Sequence, residues 1–293
     1  AAAALLRVVL LLCCAGALGQ APREVLEKTP TPCKKEYDKD FISAMASKRL
    51  EGHPQEHAVP RMLLLLGGSG AGKGTFVKHL AKHGFPAKDY VMHGIDDYLD
   101  FLPEWRETSK NSSFVFKDAA DGCYGGAIPI AKAAQDLLIA RRMHVIYEET
   151  GKNLDRVLKR VVPPFRKAGY RITAALIDGT PEIAKERAVG RFLHEGRYSS
   201  PEYVESTFKN VFDNYLKIRL EDGMKEVVYC ENTCGGAPLD SQKPGMCMHC
   251  WDDVAPNTSN GDDHDPLVPP GALKAGKAEY LQRASEQSVH HDL

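Results

Sequence analysis

The residues best suited to chemistry sit in one run, Leu66-Gly67-Gly68-Ser69-Gly70-Ala71-Gly72-Lys73-Gly74-Thr75. Its spacing is Gly, four residues, then Gly-Lys, directly after an apolar stretch and directly before a segment of helical periodicity. Glycines let consecutive backbone N–H groups turn toward one point without a Cβ in the way. The start of the following helix adds partial positive charge, and Lys73 adds a full one. Such a run is a cradle for the polyphosphate of ATP, with Gly67, Gly68, Ser69, Gly70, Ala71, Gly72, Lys73, Gly74 and Thr75 as the expected contacts. The hydroxyl that usually follows the lysine is displaced by one position, since Gly74 precedes Thr75. Thr75 is therefore expected to reach Mg²⁺ through water, because this ion keeps several of its waters.

Phosphoryl transfer also needs a base beside the acceptor hydroxyl and cations on the migrating group. His93-Gly94-Ile95-Asp96-Asp97 follows the second expected strand. A carboxylate there faces the crevice where open α/β sheets bind ligands. Asp96 and Asp97 are adjacent, so at most one points at the acceptor; the competing role for either is a cap on the next helix. A further strand ends in Glu148-Glu149-Thr150-Gly151-Lys152. An acid in that place orders Mg²⁺ or contacts the acceptor, unless it is only a solvated strand end. Arg187 and Arg191 are four apart, share one helix face and can converge on an anion, or pair with Glu182, Glu186 or Glu195. Arg197, in a turn after Gly196, suits a lid that closes over phosphates.

The elements that must hold these groups alternate between short apolar runs and longer helical patterns, the mark of βαβ units and a mostly parallel sheet. Strands are expected over 62–66, 90–93, 144–147, 171–177 and 226–229, making an α/β fold with five strands and helices on both faces. Helices are expected over 38–50, 73–83, 127–142, 154–168, 181–194 and 201–220. Residues 20–61 read as a polar lead-in, 62–230 as the kinase-like domain, and 231–293 as a loop-rich, cysteine-bearing tail with a helix near 278–285.

The chain has 293 residues, 43% hydrophobic and 26% charged, which excludes a disordered or multi-span membrane chain. Thirty-eight basic against 39 acidic side chains leave a formal charge of −1, and Lys34-Lys35 is too short for a nucleic-acid patch. Neither nucleic acid nor, once a leader is removed, a membrane is an expected partner; a small-molecule substrate is. Residues 1–19 have one charge, Arg7, then an apolar run and a small-residue exit, as in a secretory signal, with an anchor or an organelle leader as alternatives. The expected location is secreted or lumenal. Cys13 and Cys14 fall in the leader. Cys230, Cys234, Cys247 and Cys250 have spacing that serves either disulfides or a zinc ion. Asn111-Ser112-Ser113 and Asn257-Thr258-Ser259 fit the N-glycosylation pattern.

Taken in order, these blocks resemble the zeta toxin family of P-loop kinases over about residues 62–215, and the Gly-Lys-Gly-Thr loop resembles that of adenylate kinases. The resemblance implies an enzyme that transfers the γ-phosphoryl of ATP, with Mg²⁺, to a hydroxyl of a small acceptor. Lys73, Asp96, Arg191 and Arg197 would be catalytic, with Asp96 the general base and Asp97 its alternate. Asp97, Glu148, Thr150, Lys152 and Arg187 would hold the acceptor, and Glu148 and Thr75 would lie near the metal. Lys152 stands where the family often carries Arg. The family's acceptor is typically a nucleotide-sugar such as UDP-N-acetylglucosamine. A nucleoside monophosphate or small-metabolite kinase, and a secreted ATP-binding module without catalysis, are the competing readings.

Overall fold

A computed structural model describes residues 24–29, 33–110, 114–221, 224–232, 248–253, 267–269 and 272–273. The leader, both glycosylation triplets, Cys234, Cys247 and the helix expected near 278–285 lie outside the described residues.

The sheet is built around β2 (Arg61–Leu66), whose Leu63, Leu64, Leu65 and Leu66 are all fully buried. Successive strand residues face opposite sides. Met62, Leu64 and Leu66 join one core cluster while Leu63 and Leu65 join another, so both faces of the sheet are covered. A continuous leucine run is what such a doubly covered parallel strand demands. Truncating one of these leucines to alanine would cost about 2–5 kcal/mol. Strand order is β3 (Val91–His93), β5 (Val145–Glu149), β2, β6 (Arg171–Asp178), β7 (Met224–Asn232), β8 (Met248–Asp253). The first five are parallel. All five expected strands are therefore present, within a residue or so at most ends.

The sixth strand corrects the expected count. β8 runs antiparallel to β7 and comes from the tail read as loop. Met248 and Cys250 are buried, but Gly-, Pro- and Asn-rich flanks hid so short an alternation. A disulfide joins Cys230 to Cys250 across the two strands, so these sulfurs are not zinc ligands. A separate parallel pair, β1 (Glu24–Leu26) with β4 (Phe114–Phe116), was also not expected.

Among the helices, α1 (Lys39–Arg49) is capped by Asp38, which accepts the Phe41 N–H. It packs on α3 (Ala119–Ala140), placing Phe41, Ile42 and Met45 against a core that includes Ala127, Ile130 and Ala134. The disulfide Cys33–Cys123 ties the same segments together. α3 starts eight residues before the expected 127 because Gly122, Gly125 and Gly126 weaken the local pattern. Packing overrides that cost: a Cβ on Gly126 would lie 2.5 Å from the Tyr37 ring. α2 (Lys73–Lys82) turns Phe76, His79 and Leu80 inward. The helix expected over 154–168 contains a π turn, Val157–Val161, just before Pro163 and Pro164, which have no N–H to continue the ladder. α4 (Pro181–Glu195) starts at a Thr180 cap and ends at Gly196 in the left-handed region. The helix expected over 201–220 is two helices, α5 (Pro201–Ser206) and α6 (Val211–Ile218), broken where Asn210 has φ +61°. Among the described residues no helix is long and apolar enough to cross a membrane.

Candidate active site

The phosphate loop joins β2 to α2, so its position follows from the two most regular elements in the chain. Gly67, Gly70 and Gly72 all have positive φ, at 153°, 82° and 100°. Side chains rarely adopt these values, and there is no room for one. A Cβ on Gly67 would lie 2.5 Å from the Ile177 carbonyl, and one on Gly70 would lie 2.6 Å from the Ala184 carbonyl. Gly74 differs, because a Cβ there would meet nothing within 4 Å. Lys73 folds back over the loop, its Nζ donating to the carbonyls of Gly67 (2.9 Å) and Gly68 (3.4 Å). Burial holds its ammonium below the usual lysine range, opposed by the charge of Glu148.

Arg191, from α4, donates to Ser69 Oγ at 3.3 Å, and its Nε is buried with no hydrogen-bond partner among the described residues. Burial and the nearby Arg197 both pull its pKa down. An unpartnered buried donor, a desolvated lysine and a second arginine around one glycine cradle suit a polyphosphate. Its negative charge would restore what desolvation costs these cations. ATP therefore fits the residues present. For the metal, Glu148 is the penultimate residue of β5, and burial raises its carboxyl above the usual range, opposed by Lys73, with Asp97 and Asp96 adding to the rise. Thr75, half-buried in the first turn of α2, is the other expected donor. Among the described residues no group of three or more His, Cys, Asp or Glu could hold a metal ion alone, so the phosphates would complete its shell.

Asp96 and Asp97 occupy the turn Ile95–Phe101 and divide the two roles expected of them. Asp97 is the cap: its Oδ2 accepts the Gly94 N–H at 2.8 Å, and Arg49 Nη2 stands 3.4 Å from its Oδ1. Burial raises its carboxyl, with Arg49 opposing. Asp96 instead has 44% of its side chain exposed, accepts the Tyr124 hydroxyl at 2.7 Å, and pairs with Arg197 at 2.6 Å. A cavity of about 610 Å³ opens beyond them, lined by Arg49, Leu99, Asp100, Trp105 and Arg197 among others. That is the size of a small-molecule site.

A family model matches residues 44–237, and it is that of the zeta toxin. The chain belongs to the zeta toxin family. The match begins inside α1, so Arg49 lies in the family portion of the zeta toxin fold, whereas β8 lies beyond it. The chain is similar to a solved structure of the PezAT chromosomal toxin–antitoxin system of the human pathogen Streptococcus pneumoniae. The TM-score is 0.58 at 19% identity, over 86% of this chain and 96% of that one. It is also similar to the AvrRxo1-ORF1:-ORF2 structure with ATP, with a TM-score of 0.50 at 12% identity, over 76% and 72% of the two chains. At such identities the likeness speaks for the fold, which is that of a P-loop kinase. No curated protein matches.

Within this zeta toxin fold not every expected residue reaches the crevice by its side chain. Arg187 does share a face with Arg191, but its guanidinium goes to the phosphate loop, donating to the carbonyls of Gly70 (3.1 Å) and Ala71 (3.3 Å) and to Asn232 Oδ1 (3.2 Å). It lies one turn earlier on α4 and so meets the loop from outside. Thr150 accepts the Gly67 N–H through its backbone carbonyl at 3.3 Å, joining β5 to the loop. Lys152 Nζ lies 5.0 Å from the Tyr203 ring centre, and Glu149 is paired with Arg156 at 2.6 Å. Sequence reasoning missed Tyr124, which lies in a glycine-rich stretch with no helical signal, and Arg49, which lies in the lead-in. It also missed Thr207, whose hydroxyl accepts the Ser69 N–H at 2.8 Å and donates to Val204 at 2.6 Å. That contact explains the break between α5 and α6: the chain turns there to reach the loop.

Proposed function

We propose that this zeta toxin family member is an ATP-dependent phosphotransferase whose acceptor is a hydroxyl of a small molecule. The pairing of Arg197 with Asp96 beside the phosphate loop supports this most directly, because it joins a lid cation to a carboxylate at the mouth of an acceptor-sized cavity. The loop amides and Lys73 hold the polyphosphate. Arg191, already on Ser69, lies against its far oxygens. Asp96 takes the proton of the acceptor hydroxyl as that oxygen attacks, and Tyr124 fixes which carboxylate oxygen is available. Arg197 leaves Asp96 for the migrating phosphoryl, which frees the base and supplies positive charge where the transition state needs it. Mg²⁺, held near Thr75 and Glu148 and by the phosphates, would screen their charge. The disulfides Cys33–Cys123 and Cys230–Cys250 support an oxidising compartment, in keeping with a secretory leader.

Labelled γ-phosphoryl ATP offered with a panel of sugar nucleotides, nucleoside monophosphates and free sugars tests the reading. Label transferred to one of them, and lost in Asp96→Asn while ATP still binds, is the expected result. Label on a nucleotide-sugar would assign the family's typical acceptor; label on a nucleoside monophosphate would assign the adenylate-kinase-like alternative. ATP binding without transfer to any acceptor would mark a non-catalytic module and overturn the proposal.

A further inference from the structure

Asn232, the last residue of β7, is buried and reaches the phosphate loop from outside the crevice. Its Nδ2 donates to the Ala71 carbonyl at 2.8 Å, and its Oδ1 accepts from Arg187, which itself donates to the carbonyls of Gly70 and Ala71. A Cβ on Gly72 would overlap the Asn232 amide. A peptide unit is planar, with its C=O and the next N–H on opposite sides. Holding the Ala71 carbonyl outward therefore turns the Gly72 N–H inward, toward the cradle. The Asn232–Arg187 pair thus sets the direction of a loop amide without touching a ligand.

What holds Asn232 is equally local. β7 would be the edge of the sheet without β8, and edge ends fray. β8 pairs along its length, with Cys230 opposite Cys250 and Asn232 opposite Met248. The disulfide closes the pair two residues before Asn232. β8 lies beyond the residues the family model matches, 44–237.

We propose that Asn232 is a positioning residue of the phosphate loop, and that the Cys230–Cys250 hairpin holds it in place and so contributes to nucleotide affinity. This rests on the reading of the loop as an ATP site. The full oxidised chain is compared with Asn232→Ala, Asn232→Asp and the paired Cys230→Ser/Cys250→Ser variant. Mg·ATP titration calorimetry and hydrogen exchange at the Gly72 amide in the nucleotide-free protein are the two readouts. Losing the hydrogen bonds to Ala71 and from Arg187 should raise Kd about fivefold or more and speed exchange at Gly72. Asn232→Asp separates positioning from mere space filling. It keeps the size and the Arg187 contact but sets an oxygen against the Ala71 carbonyl, so it should bind ATP as poorly as Asn232→Ala. The cysteine pair should show the same weakening, not additive with Asn232→Ala. Wild-type affinity in Asn232→Asp, or unchanged Gly72 exchange in Asn232→Ala, overturns the positioning role even if the cysteine pair fails to fold. Wild-type affinity in a folded cysteine pair overturns the hairpin's part. If the wild type binds no ATP but Gly72 exchange responds as described, the ATP reading fails and the clasp stands.

Discussion

Arg197 Nη1 lies 2.6 Å from Asp96 Oδ2, so a cation expected on the phosphates and a carboxylate expected on the acceptor are each other's partners. One side chain cannot serve both at once. In the proposed mechanism, arrival of a polyphosphate would draw Arg197 away and release Asp96 as the base, coupling nucleotide binding to activation of the acceptor.

Arg197→Ala should therefore lower kcat about 10³-fold, the lower end for an arginine acting on a migrating phosphoryl. Binding of ATP measured by calorimetry should persist, because Lys73, Arg191 and the loop amides remain. Loss of binding in step with activity would assign Arg197 to the ground state instead.

Tyr124→Phe removes the hydroxyl that donates to Asp96 at 2.7 Å and leaves the ring. Hydrogen bonds to charged groups contribute about 1.5–3 kcal/mol, so kcat should drop about tenfold or more. The KM for ATP should hold.

Gly72→Ala and Gly74→Ser make opposite predictions from neighbouring positions. The first adds a Cβ at φ +100° against Asn232, and should cost about 1–3 kcal/mol of stability and abolish ATP binding. The second adds a side chain into open space and restores a hydroxyl next to Lys73, so it should melt like the wild type and bind Mg·ATP at least as well. Thermal melts with and without Mg·ATP check both.

His93 gives a pH dependence. It is buried at the end of β3, its Nδ1 shares a hydrogen with the Tyr98 hydroxyl at 2.7 Å, and burial with nearby Arg49 and Arg156 pushes it from 6.5 down to about 3. A depressed folded value means the unfolded chain binds the extra proton first. Stability is full above about pH 6.5 and falls as pH drops toward 3, with a slope of up to ~1.4 kcal/mol per pH unit. His93→Gln should flatten that part of the denaturant-measured curve while lowering stability at neutral pH.

The sequence alone determined the five parallel strands, the loop and the identity of most charged groups. An apolar run that ends in glycines reads as a buried strand entering a tight turn, and a glycine-lysine spacing with a helix after it has one main use. Local pattern carries that information because backbone geometry repeats every two or 3.6 residues. Tertiary structure alone decided which of two adjacent aspartates caps and which faces solvent. It also decided that Arg187 braces the loop from outside, and that Tyr124, Thr207 and Asn232 touch the site at all. These follow from contacts between segments 28 to 161 residues apart, and no periodicity records a partner so distant. The stapled strand β8 belongs to the same class: its six residues become a strand only because β7 offers them an edge.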